Sequence, residues 1–290
     1  MNENGTAIPV ELWRGPDSTL VESPYWDSSR GAFVWVDILG GTLHIEGEPD
    51  TVIRLSAPVP SVQPTVDGGF VVALRDSVVL LDAAGRLERE LARVTLPHGQ
   101  MRLNEGKCDP FGAFVVGSMD ETGGTDGAVY RVHGDGRVDV LIESGFGTSN
   151  GMEWSDDGST FFVTDTVAKT VYRTSYDPEG PIGELEPFLT GHHSDGMTMD
   201  ADGGFWNAIF GEGRVVHWSP DGVIDREVTL PVPNPTGVAF GGPGLDRLFI
   251  GTSREGMSEA DLATAPLSGA VFMTNVAATG REAFRFRPAV

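Results

Sequence analysis

Three oxygen-bearing side chains in this 290-residue chain open similar short phrases: Glu22 in VESPYW, Asn150 in SNGMEW and Asp195 in SDGMTM. Brought to one point, two carboxylates and an amide oxygen make a hard-cation site. Such a site suits Ca2+, Mg2+ or Mn2+ and also admits Zn2+ or Fe2+, with water in the remaining positions. A carboxylate buried without such a partner is costly, which is the physical reason to look for a cation. Taken singly, Asn150 or Asp195 also reads as an Asx residue capping a turn. Two pairs lie two residues apart, Arg102 with Asn104 and His193 with Asp195, so on an extended strand the members of each pair face the same way. His193 could therefore line a channel beside the cation and bind a substrate oxygen or accept a proton. Its other reading is an ordinary histidine in the GHHSDG turn. Cys108 reads as a packed small side chain, since no histidine is placed to activate it.

Glu22, Asn150 and Asp195 are 128 and 45 positions apart, so the elements carrying them must supply the convergence. Around Asn150 and Asp195 one phrase is written twice: a polar residue beside a glycine, a short strand, then an acidic/Gly turn (SDDG at 155–158, DADG at 200–203). The same phrase extends to six copies. Turns fall at Asp27–Gly31, Asp67–Gly69 and Asp109–Gly112, and the sixth copy is TGVAFGGPGLDRLFIGTSR, followed after a looser insertion by SGAVFMTN. Behind each turn runs a strand of β-branched and aromatic residues (AFVWVDI, GFVVALR, AFVVGSM, TFFVTDT, GFWNAIF, RLFIGTS). A repeat of about 45 residues holding four antiparallel strands is a propeller blade. The sequence predicts an all-β fold, a six-bladed β-propeller forming a single domain over residues 1–290 with a central metal-binding channel. A β-sandwich is the alternative, but it does not require the same order of turns six times. A ring must also close without a bare edge. AIPVELW near the start and EAFRFRP near the end are both candidate closing strands, the latter beginning near Ala283.

The totals narrow the chemistry further. Forty-two acidic residues against twenty basic ones give a net charge of −22, which repels a phosphate backbone and argues against nucleic acid as a partner. A single cysteine cannot form an intrachain disulfide, and no long apolar stretch or signal-like N-terminus is seen. The expected setting is the cytoplasm, with no membrane partner, for a monomer or weak homo-oligomer. Gly-x-Gly-x-x-Gly between strand and helix, a phosphate loop, a Gly-x-Ser-x-Gly elbow and His-Glu-x-x-His are all missing, which disfavours nucleotide and serine-esterase chemistry.

With its strands aligned, the sequence resembles the family of senescence-marker-type proteins, gluconolactonases and luciferin-regenerating enzymes, to which regucalcin belongs. The resemblance covers nearly the whole length. It rests on Glu22 in VESPYWDSSRGAFVWVDI, Arg102 and Asn104 in RLNEGKCDPFGAFVVGSM, Asn150 in SNGMEWSDDG, Asp195 in SDGMTMDADGGFW and the late PTGVAFGG. It implies a six-bladed propeller with one divalent metal held at Glu22, Asn150 and Asp195, and a substrate faced by Arg102 and Asn104. Two departures stand out: Glu105 where Asp is commoner, and VESP where Gly-Glu-Gly-Pro is more usual around the glutamate.

The functional expectation is a divalent-metal-dependent hydrolase that opens a sugar lactone or a related small cyclic ester. Asp195 is the candidate base as well as a ligand, and Arg102, Asn104 and His193 are the candidate substrate contacts. The alternatives are a non-catalytic calcium-binding or interaction propeller, and a metal-assisted enzyme acting on another small oxygen-rich substrate. The loops at 119–127 and 254–266 are expected at the channel mouth, where ring size and chain length of a substrate are read.

Overall fold

Strands rich in Val, Phe and Trp and punctuated by Asp/Gly turns pair with their sequence neighbours. In a computed structural model describing residues 8–289 they build six four-stranded antiparallel sheets. Blades one to five are consecutive in sequence, their inner strands being Val21–Asp27, Ser61–Pro64, Met101–Cys108, Ser149–Trp154 and Ser194–Met199. Blade six takes its three inner strands from Pro235–Gly241, Arg247–Thr252 and Val271–Asn275, and its outermost from Glu11–Arg14 at the other end of the chain. The turn after each inner strand repeats. In blade five, Gly203 adopts φ +83°, a conformation open to glycine at little cost, while Asp200 caps the turn by accepting the Gly204 N–H at 2.9 Å. The single helix among the described residues is Glu259–Thr264, in the 254–266 insertion. No helix among them is long and apolar enough to cross a membrane.

The core is divided among the interfaces between blades. Six separate apolar clusters form, one for each neighbouring pair. The cluster that closes the ring joins Val21, Phe33 and Trp35 of blade one to Phe249, Val271 and Met273 of blade six, with Trp13 packed edge-on against Phe33, Trp35 and Phe249. Trp154 and Trp206 are fully buried, as expected of blade tryptophans.

The two candidate closing strands part company. Glu11–Arg14 of the first pairs with Val271–Met273 and closes blade six; Ala7 lies outside the described residues. The second, EAFRFRP, is not a strand. Residues 279–289 run instead as a strap across the end of the ring opposite the starts of the inner strands. Main-chain bonds tie it to Ala201, Leu245, Pro64, Gly112 and Gly134. Arg281 reaches Asp156 and the Trp154 carbonyl, and Arg285 reaches Asp27 at 2.9 Å. The physical reason is that blade six is already complete, so the segment spends its donors on successive blades rather than on one strand edge. Above the strap, Lys107 Nζ sits 2.7 Å from both Glu153 Oε1 and the Met197 carbonyl. A cavity of 60 Å³ separates this layer from Glu282–Phe284.

Candidate active site

At the opposite end of the axis the inner strands begin, and five of the six carry a register irregularity there. It falls between Glu22 and Tyr25, Leu103 and Gly106, Asn150 and Met152, Ser194 and Met197, and Pro235 and Val238. Blade two is regular. Extra residues in one strand leave local backbone groups unpaired and re-aim side chains, which is how bulges serve sites. Glu22 and Asn150 stand immediately before a bulge, and Asn104, Glu105 and Asp195 lie within one. The freed carbonyls are caught from the second strands: Thr164 Oγ1 donates to Gly151 at 3.1 Å and Asn207 Nδ2 to Gly196 at 3.2 Å. Close approach of the bulges demands small residues. A Cβ on Gly196 would stand 2.9 Å from both Gly237 Cα and the Thr236 carbonyl.

Blade one achieves the turn differently. Ser23 holds φ +51° beside Glu22, a region costly for a residue with a side chain. Its hydroxyl donates to the Val62 carbonyl at 3.1 Å and accepts the Val62 N–H at 3.0 Å, joining blade one to blade two. The serine that departs from the usual glycine thus occupies a glycine-type conformation and offsets its strain with two buried hydrogen bonds.

The side chains at these positions are buried, and Arg102, Asn104 and Asn150 are in direct contact. Asn104 Nδ2 donates to Asn150 Oδ1 at 2.7 Å and to the Ser149 carbonyl at 2.9 Å, and its own Oδ1 accepts from Arg102 Nη1. Asn150 Nδ2 donates to Thr166 Oγ1 at 2.8 Å. Three carboxyls share the space: Glu22, Glu105 and Asp195 are each less than a tenth exposed. Burial pushes the Glu22 carboxyl well up, with the negative charges of Asp195 and Glu105 adding to the effect. Asp195 is raised to about 8 by burial and then by Glu105, and Glu105 to about 7 by burial, against the pull of Lys107. Asp195 Oδ1 and Glu105 Oε2 are buried oxygens with no hydrogen-bond partner among the described residues. Two unpartnered carboxylate oxygens, on Asp195 and Glu105, beside the Glu22 carboxyl and the Asn150 amide oxygen are oxygen donors of the kind a hard divalent cation takes, so Glu22, Asn150 and Asp195 fit such an ion.

Arg102 is as buried as the carboxyls, and its guanidinium pKa is lowered by that burial. Its Nε lies 3.5 Å from Glu121 Oε1. His193 is not gathered in. Its ring is exposed, its carbonyl accepts the Phe210 N–H, and among the described residues no hydrogen bond or ion pair joins it to Glu22, Asn104, Asn150 or Asp195. His192 points elsewhere, 3.2 Å from Glu212. Cys108 is buried with its thiol pKa pushed well up by burial, the environment of a packing residue. In the sequence Glu105 stands out only as a departure from the more usual Asp; the bulge after Leu103 brings it inward beside Asn104. Glu121 and Thr166 were not singled out: Thr166 follows the second strand of blade four and meets Asn150 across that blade, while Glu121, in the 119–127 loop, meets Arg102 within blade three and Arg75 of blade two.

A second group, His98, Asp120 and Asp126, offers three ligand atoms within 4.8 Å of one another near the 119–127 loop. Its His98 Nδ1 accepts the Gln100 N–H at 3.3 Å, so the protonated edge, Nε2, faces Asp120 at 3.5 Å and Asp126 at 3.7 Å. That is a polar clamp around a neutral imidazole whose Nε2 carries a hydrogen and offers no lone pair to a metal, and Asp120 is already bonded by Thr122.

Known proteins resemble the chain over nearly its whole length. The chain is 37% identical over 275 residues to the 6-deoxy-6-sulfogluconolactonase of Pseudomonas putida, covering 91% of this chain and 93% of that one. It is 35% identical over 283 residues to the pentonolactonase of Haloferax volcanii, covering 92% and 94%. Among solved structures, the calcium-binding protein regucalcin of Agrobacterium tumefaciens superposes with a TM-score of 0.89 at 29% identity over 98% of this chain and 99% of that one. Residues 20–254 match the family described as the SMP-30/Gluconolactonase/LRE-like region, and the chain belongs to that family.

Proposed function

We propose that this chain is a divalent-metal-dependent lactonase, a hydrolase that opens the ring of a sugar lactone, and that the whole chain works as one propeller domain. The observation that carries the reading is the buried cluster of Glu22, Asn150 and Asp195, with the unpartnered Oδ1 of Asp195 and Oε2 of the neighbouring Glu105 beside it. The relatives named for sulfogluconolactone, pentonolactone and arabinolactone support the substrate class. A single buried cysteine suits a cytoplasmic setting.

Glu22, Asn150 and Asp195 would hold the metal. When bound there, a divalent cation polarises the lactone carbonyl and stabilises negative charge developing on its oxygen. The chain's own groups do the rest. Asp195 Oδ1, the oxygen without a protein partner, takes a proton from the attacking water and returns one to the ring oxygen as the C–O bond breaks, so no proton is gained or lost at the residue over the cycle. Asn104, fixed by Asn150 and Ser149, presents an oriented amide beside the carboxylates. Arg102 directs guanidinium N–H groups at substrate oxygens. Its neighbour Glu121 keeps the fork in place.

The test is a panel of aldonolactones, aliphatic lactones and phosphate esters, assayed by acid release after chelation and metal add-back. Opening of aldonolactones that vanishes on chelation and returns with metal is the expected result. Equal rates with and without metal overturn the metal dependence. Tight metal binding with no turnover on any ester favours the non-catalytic calcium-binding alternative, a reading that the likeness to calcium-binding regucalcin keeps in view.

A further inference from the structure

Blade two gives the axis least, since its inner strand is regular and begins with Ser61. Its contribution comes from the turn after Ala73, where Arg75 reaches across to blade three. Arg75 Nη1 donates to the Met101 carbonyl at 3.0 Å and to Glu121 Oε2 at 3.3 Å. The other oxygen of Glu121 faces Arg102, Arg102 contacts Asn104, and Asn104 contacts Asn150. An unbroken line of polar contacts therefore climbs one wall of the site from Asn150 to Arg75.

At the upper end of that line the guanidinium is half free. Its side chain is 45% exposed, and Nε and Nη2 have no partner among the described residues. A solvated surface arginine would wander; this one is pinned along one edge by a main-chain carbonyl and a shared carboxylate, leaving a planar fork turned outward. The opposite side of the mouth carries the other sign. Glu255 sits on the 254–266 insertion, next to Arg254, whose N–H bonds to Thr19 of the blade-one approach. Its field falls on both Arg102 and Asp195. A substrate entering a protein of net charge −22 thus meets the guanidinium groups of Arg75 and Arg102 on the side of blades two and three and the Glu255 carboxylate on the side of blade six, and a charged end is sorted between them.

We propose that Arg75 is a specificity-determining residue that binds an anionic group, a carboxylate, sulfonate or phosphate, on the end of the lactone remote from its ring carbonyl. The assignment rests on the lactonase reading. Bidentate pairing with an oxyanion is what the open edge is shaped for. A neutral sugar lactone would use Arg102 and leave Arg75 in solvent.

The test compares the metal-loaded full chain with Arg75→Gln and Arg75→Lys on gluconolactone and on its 6-phosphate. Arg75→Gln should raise the ratio of the KM for the phosphorylated lactone to the KM for gluconolactone about tenfold, the worth of one charge-assisted contact. Arg75→Lys, which keeps the charge and loses the fork, should fall between. An equal rise in KM for both lactones, or no rise for the phosphorylated one, overturns the assignment while leaving the lactonase reading intact. Failure of the parent protein to open either lactone sinks the lactonase reading and this inference with it.

Discussion

Replacing Ser23 by Ala probes how the first ligand position is built. The hydroxyl makes two hydrogen bonds to Val62, at 3.0 and 3.1 Å, in a site that is 3% exposed. Alanine strands a buried N–H and a buried C=O, which costs about 2–3 kcal/mol, while the left-handed strain at φ +51° remains. Glycine strands the same two groups but relieves about 1 kcal/mol of that strain. For a chain of this length about 2 °C accompanies each kcal/mol. Ser23→Ala should therefore lower the melting temperature by about 4–6 °C, and Ser23→Gly by about 2 °C less. Differential scanning calorimetry at saturating metal reads both. An alanine variant melting within about 1 °C of the parent, or a glycine variant less stable than the alanine one, would show that the backbone conformation and its hydroxyl bonds do not carry the argued energies.

Two further outcomes follow from the same structure. In metal-free protein the raised carboxyls, Asp195 at about 8, Glu105 at about 7 and Glu22 well up, bind more protons folded than unfolded. Their stabilising contribution is full below the ordinary carboxyl pKa and is lost as pH rises through the folded values. The melting temperature of chelated protein should thus fall between pH 5 and 8, about the interval between unfolded and folded pKa values, and saturating divalent metal should abolish the fall; a flat or rising profile without metal contradicts the clustering. Carboxyls held low, such as Asp157 at about 2, act only in more acid solution and do not mask it. Phe286 of the strap is fully buried among blade-two and blade-three residues. Phe286→Ala should cost about 3–5 kcal/mol, and a negligible loss on thermal unfolding would deny the strap a structural role.

The repeat was legible because its punctuation is backbone chemistry: Asp200 and Gly203 in blade five do what an acidic/Gly turn must do wherever it occurs. The positions of Glu22, Asn150 and Asp195 were legible for the same reason, each opening a phrase that recurs. What could not be read was register. A bulge adds a residue without changing composition, so Glu105 stood out only as a departure from the more usual Asp, and His193 was paired by alternation with an Asp195 that turns inward without it. EAFRFRP has the makeup of a strand, and only the completion of blade six by Glu11–Arg14 shows why it finds no edge to join. Arg75 and Glu121 are 46 residues apart, a pairing that exists only once two blades stand side by side.

The central claim, a cation held on the axis by Glu22, Asn150 and Asp195, is tested most directly by calorimetric titration of the chelated full chain with Ca2+ and with Mn2+. Glu22→Gln, Asn150→Ala and Asp195→Asn should each weaken binding, the two charge-removing changes by more than the amide loss, and the triple variant should bind nothing measurable. His98→Ala, at the clamp near the mouth, should leave the affinity as it was. Full-affinity binding in the triple variant, or loss of binding on His98→Ala, would place the metal elsewhere and contradict the account.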